Sequence, residues 1–305
     1  MGTGTRLAGF ALGLAVLFGV AYSVGAAVGN PLGDSGSSGG HPGSGHQHGS
    51  GAEDGGGHQH GGAAGAGGMD HPIGGLAIAE NGYRLSRVSP DPVVGRPAEL
   101  AFQVIGPAGR PVTSFVNTHD KPLHLIVARR DLSGFQHLHP AMDAGGTWRV
   151  PLVLGAAGDY RVFADFVPDN RLDTLVLGMD LAVPGDYRPA PPPSPAADAA
   201  ADGYGVRMTR DGDLARFSIT RNGAPVTDLQ PYLGAYGHLV ALRQGDLGYL
   251  HVHPEGGPGL SPPGPEITFG AALPPGGTYR LYLQFAHQGG VHTAEFTVHT
   301  TDAPG

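Results

Sequence analysis

The hydrophobic pattern separates this chain into an apolar stretch, a polar tract and two globular segments. Leu7 to Val28 is uncharged and predominantly apolar, and a single arginine, Arg6, precedes it closely. As a helix it would extend about 33 Å, enough to cross a bilayer core. Residues 1–29 are therefore expected to form a transmembrane anchor or a signal peptide, with the remainder exported. Beyond residue 75 the period changes. Leu100-Ala101-Phe102-Gln103-Val104 and Ala215-Arg216-Phe217-Ser218-Ile219 alternate as strands do. Breakers such as Gly106-Pro107, Asn222-Gly223 and Gly276-Gly277 divide short apolar runs, and no further long amphipathic helix is visible. The pattern predicts an all-β chain with two tandem Ig-like or cupredoxin-like β-sandwich domains, at residues 76–186 and 201–301.

Two biased stretches frame these domains. Residues 30–75 are rich in Gly, Ser, Ala and His, with too little apolar surface to offset chain entropy, and predict a disordered tether. The tether carries His46, His48, His58 and His60, written as two HQH triplets, which are weak metal-ligand candidates. Residues 187–200 contain RPAPPPSPAADAA and predict a semi-rigid spacer.

The two domains are copies. Pro111-Val112-Thr113 precedes His124 at the spacing with which Pro225-Val226-Thr227 precedes His238. His124 to His137 and His238 to His251 are again the same distance apart, and residues 111–140 align on 225–254 without a gap. Tyr160 and Tyr279 follow Gly-containing turns and enter apolar strands, as in the tyrosine corner of Greek-key sandwiches.

The motif FQHLHP at 135–140 returns as YLHVHP at 249–254. In a strand, alternate side chains share a face, so His137 and His139 point the same way. A hairpin closed by Asp131-Leu132-Ser133-Gly134 would pair Arg130 with Phe135 and set position 128 opposite 137. His124 then joins the pair on one face. An odd change of turn length would reverse the parity and separate them. The predicted metal ligands are His124, His137 and His139 in the first copy and His238, His251 and His253 in the second. Auxiliary candidates are Asp165, Met142, His287 and His119, and the position matching Asp165 in the second copy is Gln284. Three convergent imidazoles suit Cu(II), Zn(II) or Ni(II); copper comes first by the Irving–Williams order, with Met142 a soft donor for Cu(I).

Composition narrows the classes. The 305 residues contain no cysteine, which removes disulfides, thiolate metal sites and blue-copper chemistry. Net charge is -8 with histidine neutral, and no basic patch speaks for nucleic acid. No GxSxG, Walker loop, GxGxxG or HExxH occurs, so a non-enzymatic role is expected. The expected partners are a membrane, through the N-terminal segment, and a metal ion. The function these features predict is an extracytoplasmic, membrane-tethered metal-binding protein for buffering, delivery or sensing, or secreted if the N-terminal segment is cleaved. The competing readings are a metal-independent surface adhesion or scaffolding module and a metal-dependent oxidoreductase.

The stretches Thr118-His119-Asp120-Lys121, Leu123-His124-Leu125-Ile126-Val127, FQHLHP, Tyr160 to Phe166 and, in the second half, Asp228 to Val240 with YLHVHP carry a family resemblance. The chain resembles secreted or membrane-anchored tandem-repeat bacterial proteins labelled as heavy-metal-binding-domain (HxHP-motif) secreted proteins. That resemblance implies an exported β-sandwich protein that handles metal. It also implies Asp where this chain has Gln284, so a carboxylate is missing there.

Overall fold

The computed structural model describes residues 73–301, except the side chains of His251 and His253. The expected anchor and most of the expected tether, including His46, His48, His58 and His60, lie outside the described residues. Among the described residues no helix is long and apolar enough to cross a membrane.

The chain is all-β. In the first repeat, one sheet has the order β1 (Ala79–Glu80), β2 (Tyr83–Arg87), β3 (Pro97–Ile105), β8 (Thr147–Val153), β7 (Ala141–Met142). The other has the order β10 (Leu175–Val183), β9 (Gly158–Pro168), β5 (Leu123–Arg129), β6 (Gln136–Leu138), and β4 (Phe115–Val116) pairs with β9. Every strand pair is antiparallel. Leu100, Phe102 and Val104 from the first sheet and Leu125, Val127 and Val162 from the second share one core around Trp148.

The second repeat uses β11 (Asp198–Ala201), β12 (Tyr204–Asp211), β13 (Leu214–Arg221), β14 (Ala224–Pro225), β15 (Gly237–Arg243), β16 (Tyr249–Pro254), β17 (Glu266–Gly270), β18 (Thr278–His287) and β19 (Gly290–His299). Here β16 pairs with β15 at its start and with β17 at its end, which joins both layers into one continuous ladder. The first repeat breaks the same path after Leu138, and the chain resumes pairing at Ala141 on the opposite sheet. Pro140 lies in that gap and cannot donate to a ladder, which suits a strand that changes sheets. Both tyrosine corners form: Tyr160 OH donates to Ala156 O and Tyr279 OH to Pro274 O, each at 3.0 Å.

Two boundaries differ from the sequence reading. Gly74, expected in the tether, exchanges backbone hydrogen bonds with Tyr249 at 2.8 and 3.0 Å. Asp198 to Ala200, expected in the spacer, already belong to β11.

The repeats pack on one another rather than standing apart. Ile126, Ala128, Leu132 and Phe163 of the first form one buried cluster with Val240, Leu242, Leu247, Tyr249 and Tyr282 of the second. Matched positions exchange partners. Phe135 stacks on Tyr282 with centroids 4.0 Å apart, and Phe163 meets Tyr249 at 5.5 Å. This is the contact of two copies related by an approximate two-fold axis. Tyr282 OH also donates to the carbonyl of Leu132, a residue whose φ of 67° lies in the left-handed region. That strain turns a wholly buried leucine into the contact, and Leu247, with φ 62°, does the same from the other side.

Tyr282→Ala is expected to destabilise the protein by about 3–5 kcal/mol, through loss of a large buried aromatic. In chemical denaturation the midpoint falls accordingly; an unchanged midpoint contradicts this packing.

Candidate metal centre

The hairpin that carries the first histidines has a longer connection than the sequence suggested. Ile126 faces His137 and Val127 faces Gln136, residues 130–135 connect the two strands, and the register is shifted by two from the expected pairing of 128 with 137. Asp131 explains the shift. Its carboxylate accepts from Arg129 Nε at 2.9 Å, from the backbone and hydroxyl of Ser133, and from the Ala190 N–H at 2.9 Å. Burial pushes this acid up, but the Arg129, Ser133 and Ala190 donors outweigh it and hold the carboxyl well below its usual range. A shift of two preserves side-chain parity, so the predicted grouping on one face persists.

The interface face of β5 is graded. Ala128 and Ile126 are apolar, and His124 follows at the end where the histidines gather. His124, buried on that face, brings Nδ1 to 3.0 Å from His137 Nε2 and 3.2 Å from His139 Nε2. One nitrogen from each of the three rings lies within 4.8 Å of the others.

Protons on these rings are assigned by their outer partners. His124 Nε2 is 2.9 Å from the Thr118 carbonyl, which can only accept, so Nε2 carries the proton and Nδ1 a lone pair. Thr118 sits in a tight turn closed by reciprocal backbone bonds with Lys121, and His119 and Asp120 adopt φ of 49° and 62°. This strained turn aims the carbonyl at His124. The second repeat repeats the device: His238 Nε2 lies 2.8 Å from Tyr232 O, with Leu233 and Gly234 in the left-handed region.

His137 is held from the other repeat. Its Nδ1 is 2.7 Å from Gln284 Oε1. An amide oxygen only accepts, so Nδ1 donates and Nε2 presents its lone pair. Two lone pairs, on His124 Nδ1 and His137 Nε2, thus face each other across 3.0 Å. Burial pushes His137 down to about 3; Gln284 opposes this, and His124, His139 and His238 add to it. Burial likewise lowers His139 to about 4, helped by His124, Lys121 and His238. His137 and His139 are therefore neutral at physiological pH, the state imidazole needs to ligate.

The remaining candidates are distributed around this point. The His238 ring centre is 6.4 Å from His137 and 5.3 Å from His119, and His119 is 6.0 Å from His124. Asp165 pairs with His124 in register, is 1% exposed, and accepts from Tyr249 OH at 3.0 Å. Burial, reinforced by this carboxylate, raises the Tyr249 phenol well above its ordinary range, so it stays a donor. A cavity of about 30 Å³ lies between His119, His124, His137, Asp165, His238 and Tyr249. The backbone of His251 pairs with Val240 as His137 does with Ile126, while the side chains of His251 and His253 lie outside the described residues.

Two auxiliary candidates are engaged elsewhere. Met142 packs against the core of the first repeat, beside Trp148 in register, because β7 belongs to the sheet opposite the histidines. His287 bonds Tyr204 OH at 2.7 Å and Asp228 at 3.0 Å, in a separate network of the second repeat. Gln284 is the residue the sequence reading undervalued: alignment showed only that a carboxylate was missing there. Its partner belongs to the other repeat, which intradomain spacing does not reveal.

Among curated proteins none matches the chain in sequence. Solved structures with similar stretches include a Salmonella alpha-2-macroglobulin mutant, at 15% identity and TM-score 0.25, covering 75% of this chain and 15% of that one. The surface layer protein SbsC, domains 4–9, matches at 13% identity and TM-score 0.20, covering 72% of this chain and 31% of that one. A chimeric titin Z1Z2 matches at 12% identity and TM-score 0.18, covering 72% and 97% respectively. The chain thus spans less than a third of the length of the alpha-2-macroglobulin and SbsC chains it matches.

Since His137 and His139 take up protons far more weakly when folded than at the ordinary value of 6.5, the unfolded chain binds more protons below that pH. Stability is expected to be lost progressively from pH 6.5 towards pH 3, with no contribution above pH 7. In thermal unfolding, His137→Gln should show a shallower fall over that window than the wild type. Parallel curves would contradict the buried, neutral state of this ring.

A family model described as a domain of unknown function (DUF8832) matches residues 78–182 and again 199–302, with no metal in its description, so the chain belongs to that family as two tandem copies.

Proposed function

We propose that this protein binds one transition-metal ion through His124 Nδ1, His137 Nε2 and His139 Nε2. The observation that carries the reading is the 3.0 Å approach of two ring nitrogens whose protons are committed to Thr118 and Gln284. Two lone pairs at that distance repel unless a cation lies between them. Nitrogens about 2.0–2.1 Å from a tetrahedral ion stand roughly 3.3 Å apart; the two separations from His124, 3.0 and 3.2 Å, are close to that, and the His137–His139 pair, within 4.8 Å, would close on the ion. The outer bonds are the kind that orient metal-bound histidines: ring N–H to a carbonyl and to an amide.

Three neutral imidazoles suit copper, zinc or nickel, and copper is the first choice by the Irving–Williams order. With no cysteine in the chain, the ligand set offers no blue-copper electron-transfer site. The apolar stretch Leu7–Val28 supports an extracytoplasmic protein tethered to the membrane, or secreted after cleavage. The two-layer strand order and the paired tyrosine corners favour an immunoglobulin-type reading of each repeat over a cupredoxin-type one. Partly exposed His137 and His139 give the ion a route to solvent, which fits buffering or delivery.

Changing His137 and His139 together to alanine should lower Cu(II) stoichiometry by about one ion per chain in equilibrium dialysis followed by elemental analysis. Stoichiometry equal to wild type would overturn the assignment.

A further inference from the structure

The site is assembled by both repeats, and the second bonds a ring of the hairpin through the Gln284 amide. We infer that Gln284 is the positioning residue of this centre: it fixes the proton of His137 on Nδ1 and thereby sets the affinity for the ion. The inference rests on the metal-binding reading above and adds to it a residue outside the ligand set.

The geometry is specific. Gln284 lies on β18, directly opposite His238 in register and 8% exposed. Its Nε2 donates to Thr293 Oγ1 at 3.3 Å on the neighbouring strand β19. In this arrangement Oε1 lies towards His137 Nδ1 at 2.7 Å. An acceptor there excludes the tautomer with the proton on Nε2, the nitrogen that faces His124. Without it, His137 could place its proton towards His124 Nδ1, close the lone-pair contact with a hydrogen bond, and lose its capacity to ligate. Gln284 thus holds the pocket in its ligating form before any ion arrives.

The corresponding position in the first repeat is Asp165, which also reaches across the contact, to Tyr249 OH of the second repeat at 3.0 Å. Each repeat therefore offers this position to its neighbour: a carboxylate in one direction, a neutral amide in the other. A neutral acceptor orients His137 while making it a weaker donor than a carboxylate would. Gln284 accordingly yields a preorganised site of moderate affinity, from which an ion can leave.

The test uses the full chain with ¹⁵N-labelled histidine and variants Gln284→Leu and Gln284→Glu. Long-range ¹H–¹⁵N correlation without metal reads the His137 tautomer. Titration with Zn(II), followed at the same ring, reads affinity at this site without interference from the tether histidines. The wild type should show the Nδ1–H form. Gln284→Leu should shift His137 towards Nε2–H and weaken Zn(II) by about 10–100-fold. Gln284→Glu should keep Nδ1–H and bind Zn(II) more tightly than wild type. Thermal unfolding of each variant confirms that it is folded. A leucine variant that is folded, retains Nδ1–H and keeps wild-type affinity overturns the inference. A wild-type chain whose His137 ring ignores both Zn(II) and Cu(II) overturns the functional reading instead, while the metal-free spectra decide the role of Gln284 independently.

Discussion

One face of each repeat is denied to water. Ile126, Ala128 and Phe163 point away from the core of their own repeat, and are covered by Val240, Leu242, Tyr249 and Tyr282 of the other. Burial of that much apolar and aromatic surface is the driving force that joins the copies. The histidines occupy the end of the same face. His124 continues the row of Ile126 and Ala128, and Gln284 continues the row of Tyr282. The repeat contact therefore brings His137 and Gln284 together and excludes water from His124.

This arrangement accounts for the chemistry of the cluster. Isolated on an open hairpin, three imidazoles would be solvated and would titrate near their ordinary value. Enclosed by the second repeat, His137 falls to about 3 and His139 to about 4. Hydrogen bonds to Thr118 and Gln284 then decide which nitrogens carry lone pairs. Backbone strain at His119 and Asp120 is stored in the turn that supplies the Thr118 carbonyl, beside the site it serves.

Much of this was legible in the sequence. Alternating strands, turn residues and the gapless repeat gave an all-β chain with two related domains. The parity of His124, His137 and His139 survived a register shift of two because side-chain direction in a strand repeats every two residues. The shift itself was hidden, since it depends on Asp131 gathering Arg129, Ser133 and Ala190 around one carboxylate. The contact between repeats was missed, although a signal existed. Leu123–Arg129 reads LHLIVAR and is buried at every position, with no polar alternation. Such a run marks a strand covered on both faces. Aromatic residues at Phe163 and Tyr282, on the outer face of their sheets, point the same way. The proline-rich spacer suggested separation, but composition fixes the stiffness of a linker, not where its ends dock.

The central claim is that three rings from one hairpin share one ion. Anomalous scattering from crystals of the copper-loaded protein, recorded at the copper edge, addresses it directly. The account predicts a peak about 2.0–2.1 Å from His124 Nδ1, His137 Nε2 and His139 Nε2 together, with the His137–Gln284 bond retained. Copper bound elsewhere, with these three rings in place and no peak between them, would contradict it.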